Sequence, residues 1–83
     1  MVGPEFAEYY IPQLAMCETM SIINLLGPSL AHHCETIQNF VLVDLFDSQE
    51  KKFNIWWDAN VVPLIDEFYQ TLTKEAIKHG TEQ

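Results

Sequence analysis

The residue types most capable of chemistry stand together in one run, His32-His33-Cys34-Glu35. Successive side chains on a helix point about 100° apart, and a helical metal site needs ligands three or four residues apart. Only His32 and Glu35 have that spacing, and no C-x-x-C pair or second histidine pair could complete a zinc site. We therefore predict no metal, with His32 on the surface, His33 at the edge of the core and Cys34 buried.

The two cysteines, Cys17 and Cys34, lack the setting of a nucleophile. A reactive thiolate needs a nearby base and positive charge, but Cys34 falls on an apolar stripe and Cys17 is followed by Glu18. Two cysteines do not make a disulfide scaffold, so we expect reduced thiols in an intracellular protein, cytoplasmic or nuclear. A bond between them stays geometrically open if the first two helices form a hairpin.

Catalytic motifs are absent from the sequence. It contains no G-x-S-x-G nucleophile elbow, no phosphate-binding loop and no dinucleotide-binding G-x-G-x-x-G. Asp66 and Glu67 are neighbours, so their carboxylates leave a helix on different sides. We therefore expect a protein that is not an enzyme and holds no cofactor.

Charge narrows the class of partner. The chain has 12 acidic residues against 4 basic ones, all lysines, and a formal net charge of −8. Nucleic-acid backbones and anionic membranes are bound through lysine and arginine, so neither is an expected partner. No apolar run reaches the roughly 18 residues of a membrane span, and the N-terminus lacks a signal-peptide pattern. A protein partner with a basic surface, or a second copy of the chain, is compatible with this charge.

The first six residues resemble a leader left by cloning. Gly3-Pro4 is a common remnant of protease cleavage, and Glu5-Phe6 is encoded by a common cloning site. We expect residues 1–6 to be this leader and residues 7–83 to be a single domain, since a chain of this length suits one domain. The natural chain is then expected to be a segment of a larger protein.

The strongest periodic signal begins at Phe53. Its apolar residues fall within one helix sector about 120° wide, which is typical of an amphipathic helix. Proline removes a hydrogen bond and clashes with the preceding turn, so the helix either kinks at Pro63 or splits near Asn60. Gly80 is the expected left-handed cap. The apolar stripe consists of Phe53, Trp57, Val61, Leu64, Ile65, Phe68 and Leu72.

Proline and glycine also mark the first helix. It is expected to begin at Pro12, where a proline fits the first turn, and to reach Leu26. Gly27-Pro28 then forms a strong helix breaker. Its apolar face is expected to contain Ala15, Met16, Met20, Ile22, Ile23 and Leu26.

The second helix is expected to run from Pro28 or Ser29 to about Phe46. Asp47 or Ser48 can cap the helix that follows. The apolar residues of the second helix fall in one sector. They are Leu30, Cys34, Ile37, Val41 and Leu45.

These elements predict an all-α fold. It is a small antiparallel helical bundle of three main helices, with a long third helix kinked or split at Pro63. The predicted core consists of Met20, Ile23, Leu26, Leu30, Ile37, Val41, Trp57, Val61, Leu64, Phe68 and Leu72.

Apolar residues outside this core point to a binding surface. The end of the second helix is apolar nearly all round, so Leu42 and Phe46 are expected to face away from a simple three-helix core. Trp56 neighbours Trp57 and either lies along the edge of the core or anchors a contact, since tryptophan is enriched at binding hot spots. The predicted partner-binding residues are Trp56, Leu42, Phe46, Tyr69 and Phe40.

The function expected from these observations is non-catalytic. The domain is predicted to be a protein–protein interaction or oligomerisation module of a larger intracellular protein. One alternative is a slice of an α-solenoid, because helix pairs joined by short turns suit such repeats. A second alternative is a metal- or ligand-binding helical bundle.

Overall fold

The structure is a computed structural model that describes the backbone of residues 4–81 and the side chains of residues 5–75. No strand occurs within residues 4–81, and the predicted all-α bundle of three main antiparallel helices is confirmed. The first helix, α1, spans Ile11–Ile22 and follows a short 3-10 helix, Pro4–Tyr10. The second helix consists of α2, Pro28–Phe40, and a first π turn, Val41–Leu45. The third helix consists of α3, Glu50–Trp56, a second π turn, Trp57–Val61, and α4, Val62–Thr81.

The first helix ends earlier than predicted, at Ile22 rather than at Leu26. Asn24 adopts a left-handed backbone, with φ of 59°. The N–H of the next residue, Leu25, reaches back to the carbonyl of Met20 at 2.8 Å. This is the hydrogen bond of a Schellman motif, in which asparagine can replace the usual glycine. The helix therefore stops before the Gly27-Pro28 breaker is reached.

The turn between the second and third helices also differs from prediction. Asp47 and Ser48 both have positive φ, 52° and 59°, and the residue before the third helix is Gln49, which makes no side-chain capping bond. A capping residue normally has an extended backbone, so the prediction of a cap at Asp47 or Ser48 is wrong. These two residues instead reverse the chain, and the N–H of Ser48 donates to the carbonyl of Leu42 at 2.8 Å.

Pro63 interrupts the third helix without ending it. Proline has no N–H for the carbonyl four residues earlier, and its ring crowds that carbonyl. The second π turn lies just before it, where the N–H of Val62 donates to the carbonyl of Trp57, five residues back. This wider turn accommodates the proline. The predicted kink or split is confirmed as a π turn between joined helices, and α4 continues through Thr81, past the expected cap at Gly80.

Both π turns coincide with apolar residues spaced four apart. In a regular α-helix such residues drift by about 40° at each step, so three of them spread over about 80° of one face. A π turn holds more residues per turn and reduces the drift. The two series are Ile37, Val41 and Leu45 in the second helix and Phe53, Trp57 and Val61 in the third, and all are buried or half-buried.

The first helix lies in the middle of the bundle. It packs against α2, against α4 and against the second π turn, whereas α2 and α4 make almost no direct contact within the described residues. The 3-10 helix folds back on the first π turn. The core consists of Ala7, Leu14, Ala15, Ile37, Val41, Leu45, Phe53 and Val61.

The predicted core is confirmed in part. The prediction of Leu30 as a core residue is wrong, since Leu30 is 39% exposed. No residue of α2 before Cys34 is buried. Three residues are buried as predicted: Ile37, Val41 and Val61. Three more are half-buried against the core cluster: Trp57, Leu64 and Phe68. The remaining four are half-buried away from that cluster: Met20, Ile23, Leu26 and Leu72.

The buried face of the first helix is also different from the predicted one. Met16 and Ile22 are 40% and 57% exposed, whereas Leu14 and Thr19 are almost fully buried. The reason is that two elements, α2 and the third helix, meet this helix from different sides. The hydroxyl of Thr19 donates to the carbonyl of Ala15 at 2.8 Å, which satisfies a polar group inside the core.

Candidate functional site

Cys17 and Cys34 form a disulfide between α1 and α2, with their Cα atoms 5.9 Å apart. The expectation of reduced thiols is therefore wrong in this structure, because the antiparallel hairpin brings the middle of each helix together. Cys34 is buried and His32 is exposed, both as predicted. The expectation of His33 at the edge of the core is wrong, since His33 is exposed, as is Glu35. Within the described residues, no group of three or more histidine, cysteine, aspartate or glutamate side chains could hold a metal ion.

An aromatic cluster joins the second and third helices. The ring centroid of Phe53 lies 6.0 Å from that of Phe46, 6.0 Å from that of Trp56 and 5.7 Å from that of Trp57. Phe46 and Trp56 also contact each other at 5.4 Å. The two tryptophans follow Phe53 by three and four positions, so both rings can reach the same side chain on one helix face. Adjacent tryptophans thereby become half-buried together.

Four of the five predicted partner-binding residues belong to this end of the bundle. Phe40 contacts Tyr10 of the 3-10 helix, with ring centroids 5.3 Å apart. Leu42, Phe46 and Trp56 are half-buried against the core. The expectation that Leu42 and Phe46 face away from the core is wrong, because the N-terminal segment and the third helix cover them. Whether Phe40, Leu42, Phe46 and Trp56 also bind a partner stays a prediction.

Tyr69, the fifth predicted residue, lies apart from the other four. It stands thirteen residues after Trp56, about 20 Å further along the helix. Tyr69 is 40% exposed and lines an open apolar depression of about 380 Å³ between α4 and the end of α1. Ile22 and Val62, 57% and 44% exposed, line the same depression together with Ile65. These four side chains, Ile22, Val62, Ile65 and Tyr69, are named the apolar patch below.

Sequence reasoning found Tyr69 but missed the rest of the apolar patch. Val62, Ile65 and Tyr69 are spaced three and four apart, which places them on one face of a helix. This second stripe adjoins the apolar stripe from Phe53 to Leu72 and shares Ile65 with it, so spacing alone does not separate the two. Ile22 was assigned to the buried face of the first helix. The spacing was visible in the sequence, but the docking side of the first helix was not.

Acidic side chains border the apolar patch. Asp66 lines the depression, and Asp58 is exposed about one turn before Val62. The third helix carries no basic residue between Lys52 and Lys74. The surface is therefore apolar at its centre and negative at its rim.

A second depression, also about 380 Å³, opens between α1, α2 and α4 beside the disulfide. Met16 and Leu30, 40% and 39% exposed, and the half-buried Phe68 form its apolar walls. Gln13 and His33 are the polar side chains that line it. This surface is named the disulfide groove below.

Two further observations bear on function. Between residues 4 and 81, no helix is both long and apolar enough to cross a membrane. Comparison with protein-family models, with curated proteins and with solved structures finds no match for this chain.

Proposed function

We propose that this bundle is a non-catalytic module that binds another protein through the apolar patch. The observation that carries the proposal is the exposure of Ile22, Val62 and Tyr69 around one depression. They come from two different helices, so their meeting is a feature of the folded bundle. Contiguous exposed apolar residues with a polar border are typical of protein-binding surfaces.

The dimensions of the chain also support a partner. Its accessible surface is 6006 Å², whereas a compact monomer of this mass is expected to expose about 5,100 Å². The excess reflects an elongated shape, in which the third helix extends beyond the shorter first helix. Elongated helical surfaces suit recognition of another helix by an apolar face.

The charge favours a basic partner over a second copy of the chain. Asp58 and Asp66 would face identical carboxylates in many symmetric pairings through the apolar patch, and each copy carries a net charge of −8. Opposite charge at the rim accelerates association and selects the partner. A helix with apolar residues flanked by lysine or arginine matches this surface.

A cytoplasmic or nuclear location stays part of the proposal, although the Cys17–Cys34 disulfide weighs against it. Disulfides are rare in the cytoplasm and nucleus, where thiols are kept reduced. A measurement of the redox state of Cys17 and Cys34 in the native setting therefore tests this part on its own.

The proposal is tested with a synthetic basic helix of leucine and lysine, compared with an acidic helix of leucine and glutamate. We expect calorimetry to show binding of the basic helix alone. Val62→Gln should weaken this binding by about tenfold, since it removes an apolar contact without changing charge. Ile55→Gln is the matched control, because Ile55 is 63% exposed on the same helix but lies outside the patch.

Two outcomes would contradict the proposal. One is binding of both helices with equal affinity, which would show non-specific adhesion. The other is an equal loss of affinity in Val62→Gln and Ile55→Gln, with both variants folded by circular dichroism.

A further inference from the structure

We propose that the disulfide groove binds a small amphiphile with an apolar chain and a carboxylate head. The inference is independent of the protein-binding function proposed above, because the groove and the apolar patch lie in different depressions with no lining residue in common. It rests on the shape of the groove, its apolar walls and the kinds of polar group that line it.

The groove exists because the bundle is open on one side. The first helix packs against both α2 and α4, while α2 and α4 make almost no contact with each other in the described part of the chain. Leu30 of α2 and Phe68 of α4 consequently line the same cleft across α1. The Cys17–Cys34 bond ties α2 to α1 beside this cleft.

The walls suit an apolar chain. Met16, Leu30 and Phe68 present carbon and thioether surface, and Met16 and Leu30 remain 40% and 39% exposed. Methionine adapts its shape to a flexible chain. A volume of about 380 Å³ falls at the small end of the range for ligand clefts, about 300–1,000 Å³. The groove therefore fits a medium-length chain better than a large ring system.

The polar lining suits a carboxylate. Gln13 uses one amide N–H toward the carbonyl of Tyr9, at 3.5 Å, which leaves its second N–H as a donor. The ring of His33 supplies another N–H donor in either of its neutral tautomers. A carboxylate can accept from both groups, and hydrogen bonds to an ionised acceptor are about twice as strong as neutral ones.

The charge distribution distinguishes this groove from two other depressions that border α1. Asp66 lines the depression at the apolar patch. Glu18 and Glu35 line a smaller cavity of about 160 Å³ that also borders the disulfide. The disulfide groove has no carboxylate in its lining, although the chain carries a net charge of −8. An anionic head therefore meets less local repulsion here than in those two depressions.

Calorimetry with the oxidised chain of 83 residues tests the inference. The probes are decanoate, decanol and decylammonium, which share one chain and differ in the head, at concentrations where none forms micelles. We expect saturable binding of one decanoate, about tenfold tighter than either other probe. His33→Ala should remove the preference for decanoate over decanol, and Leu30→Gln should weaken binding of decanoate and decanol together.

Ile55→Gln is the control, since this exposed side chain lies outside the groove. Because His33 and Leu30 are exposed, their variants should remain folded, and circular dichroism checks this. Three results would overturn the inference: no saturable decanoate binding, equal affinity for decanoate and decanol, or a loss in Ile55→Gln as large as that in Leu30→Gln. None of these results affects binding of the basic helix at the apolar patch.

Discussion

Phe53 shows how a single residue organises its neighbours. Its side chain is 6% exposed and contacts the rings of Phe46, Trp56 and Trp57. Aromatic pairs at such distances stabilise a fold beyond the area that they bury. Trp56, which the sequence offered as a partner anchor, therefore contributes to the chain's own packing. A loss of binding in Trp56→Ala would not by itself identify a contact with a partner.

Replacement of Trp56 by alanine should destabilise the fold. Trp56 is half-buried against the core cluster, so we expect a loss of about 2 kcal/mol in the free energy of unfolding, less than the roughly 3–5 kcal/mol of a fully buried aromatic residue. Tyr69→Ala, at a more exposed site, should cost less than about 1 kcal/mol. Urea denaturation measures both values. An unchanged stability in Trp56→Ala would leave that ring free to serve a partner.

Among the helices, the first half of α2 depends most on one covalent bond for its position. The buried residues of α2 begin at Cys34, so residues 28–33 have little apolar packing of their own. The Cys17–Cys34 bond closes a sequence separation of 17 residues. Cross-links of this size stabilise a fold mainly by restricting the unfolded chain.

Replacement of both cysteines by serine should lower the free energy of unfolding by about 3 kcal/mol. Hydrogen exchange should accelerate first in residues 28–33, because this half-helix loses its attachment, and much less in the third helix. A reducing agent should lower the stability of the unsubstituted chain by the same amount and have no effect on the double serine variant. Uniform acceleration along the whole chain would show that the bond stabilises all three helices equally.

The whole molecule is elongated and strongly acidic. Its Cα radius of gyration is 14.7 Å, with extents of 53 × 26 × 19 Å, whereas a compact domain of this length is expected near 12 Å. Repulsion between copies with a net charge of −8 opposes self-association until salt screens it. The apolar patch and the charge therefore act in opposite directions on the oligomeric state.

Light scattering on a gel-filtration column should give the mass of a monomer at neutral pH and low salt. At about 1 M salt, where the screening length falls to about 3 Å, we expect dimers to appear, and Val62→Gln should suppress them. A stable dimer already at low salt would make a second copy the preferred occupant of the apolar patch. A cooperative thermal transition of the same sample would favour an independent domain over a slice of a solenoid.

Local sequence was sufficient to predict much of this fold. Pro12 and Pro28 fit the first turns of their helices, and the stripe from Phe53 to Leu72 predicted the third helix across Pro63. Such features depend on neighbours along the chain, so periodicity and backbone sterics are enough to predict them.

Residue spacing is enough to show which side chains share a helix face, whereas the face that is covered depends on how the helices pack. Met16 and Leu30 are as apolar as Leu14, yet of these three only Leu14 is buried. The burial of each side chain depends on where α2 and the third helix meet α1. The Cys17–Cys34 bond and the meeting of Ile22 with Val62 depend on the same placement. A helix that is apolar on more than one side can dock in more than one orientation, and only contacts between distant parts of the chain select one.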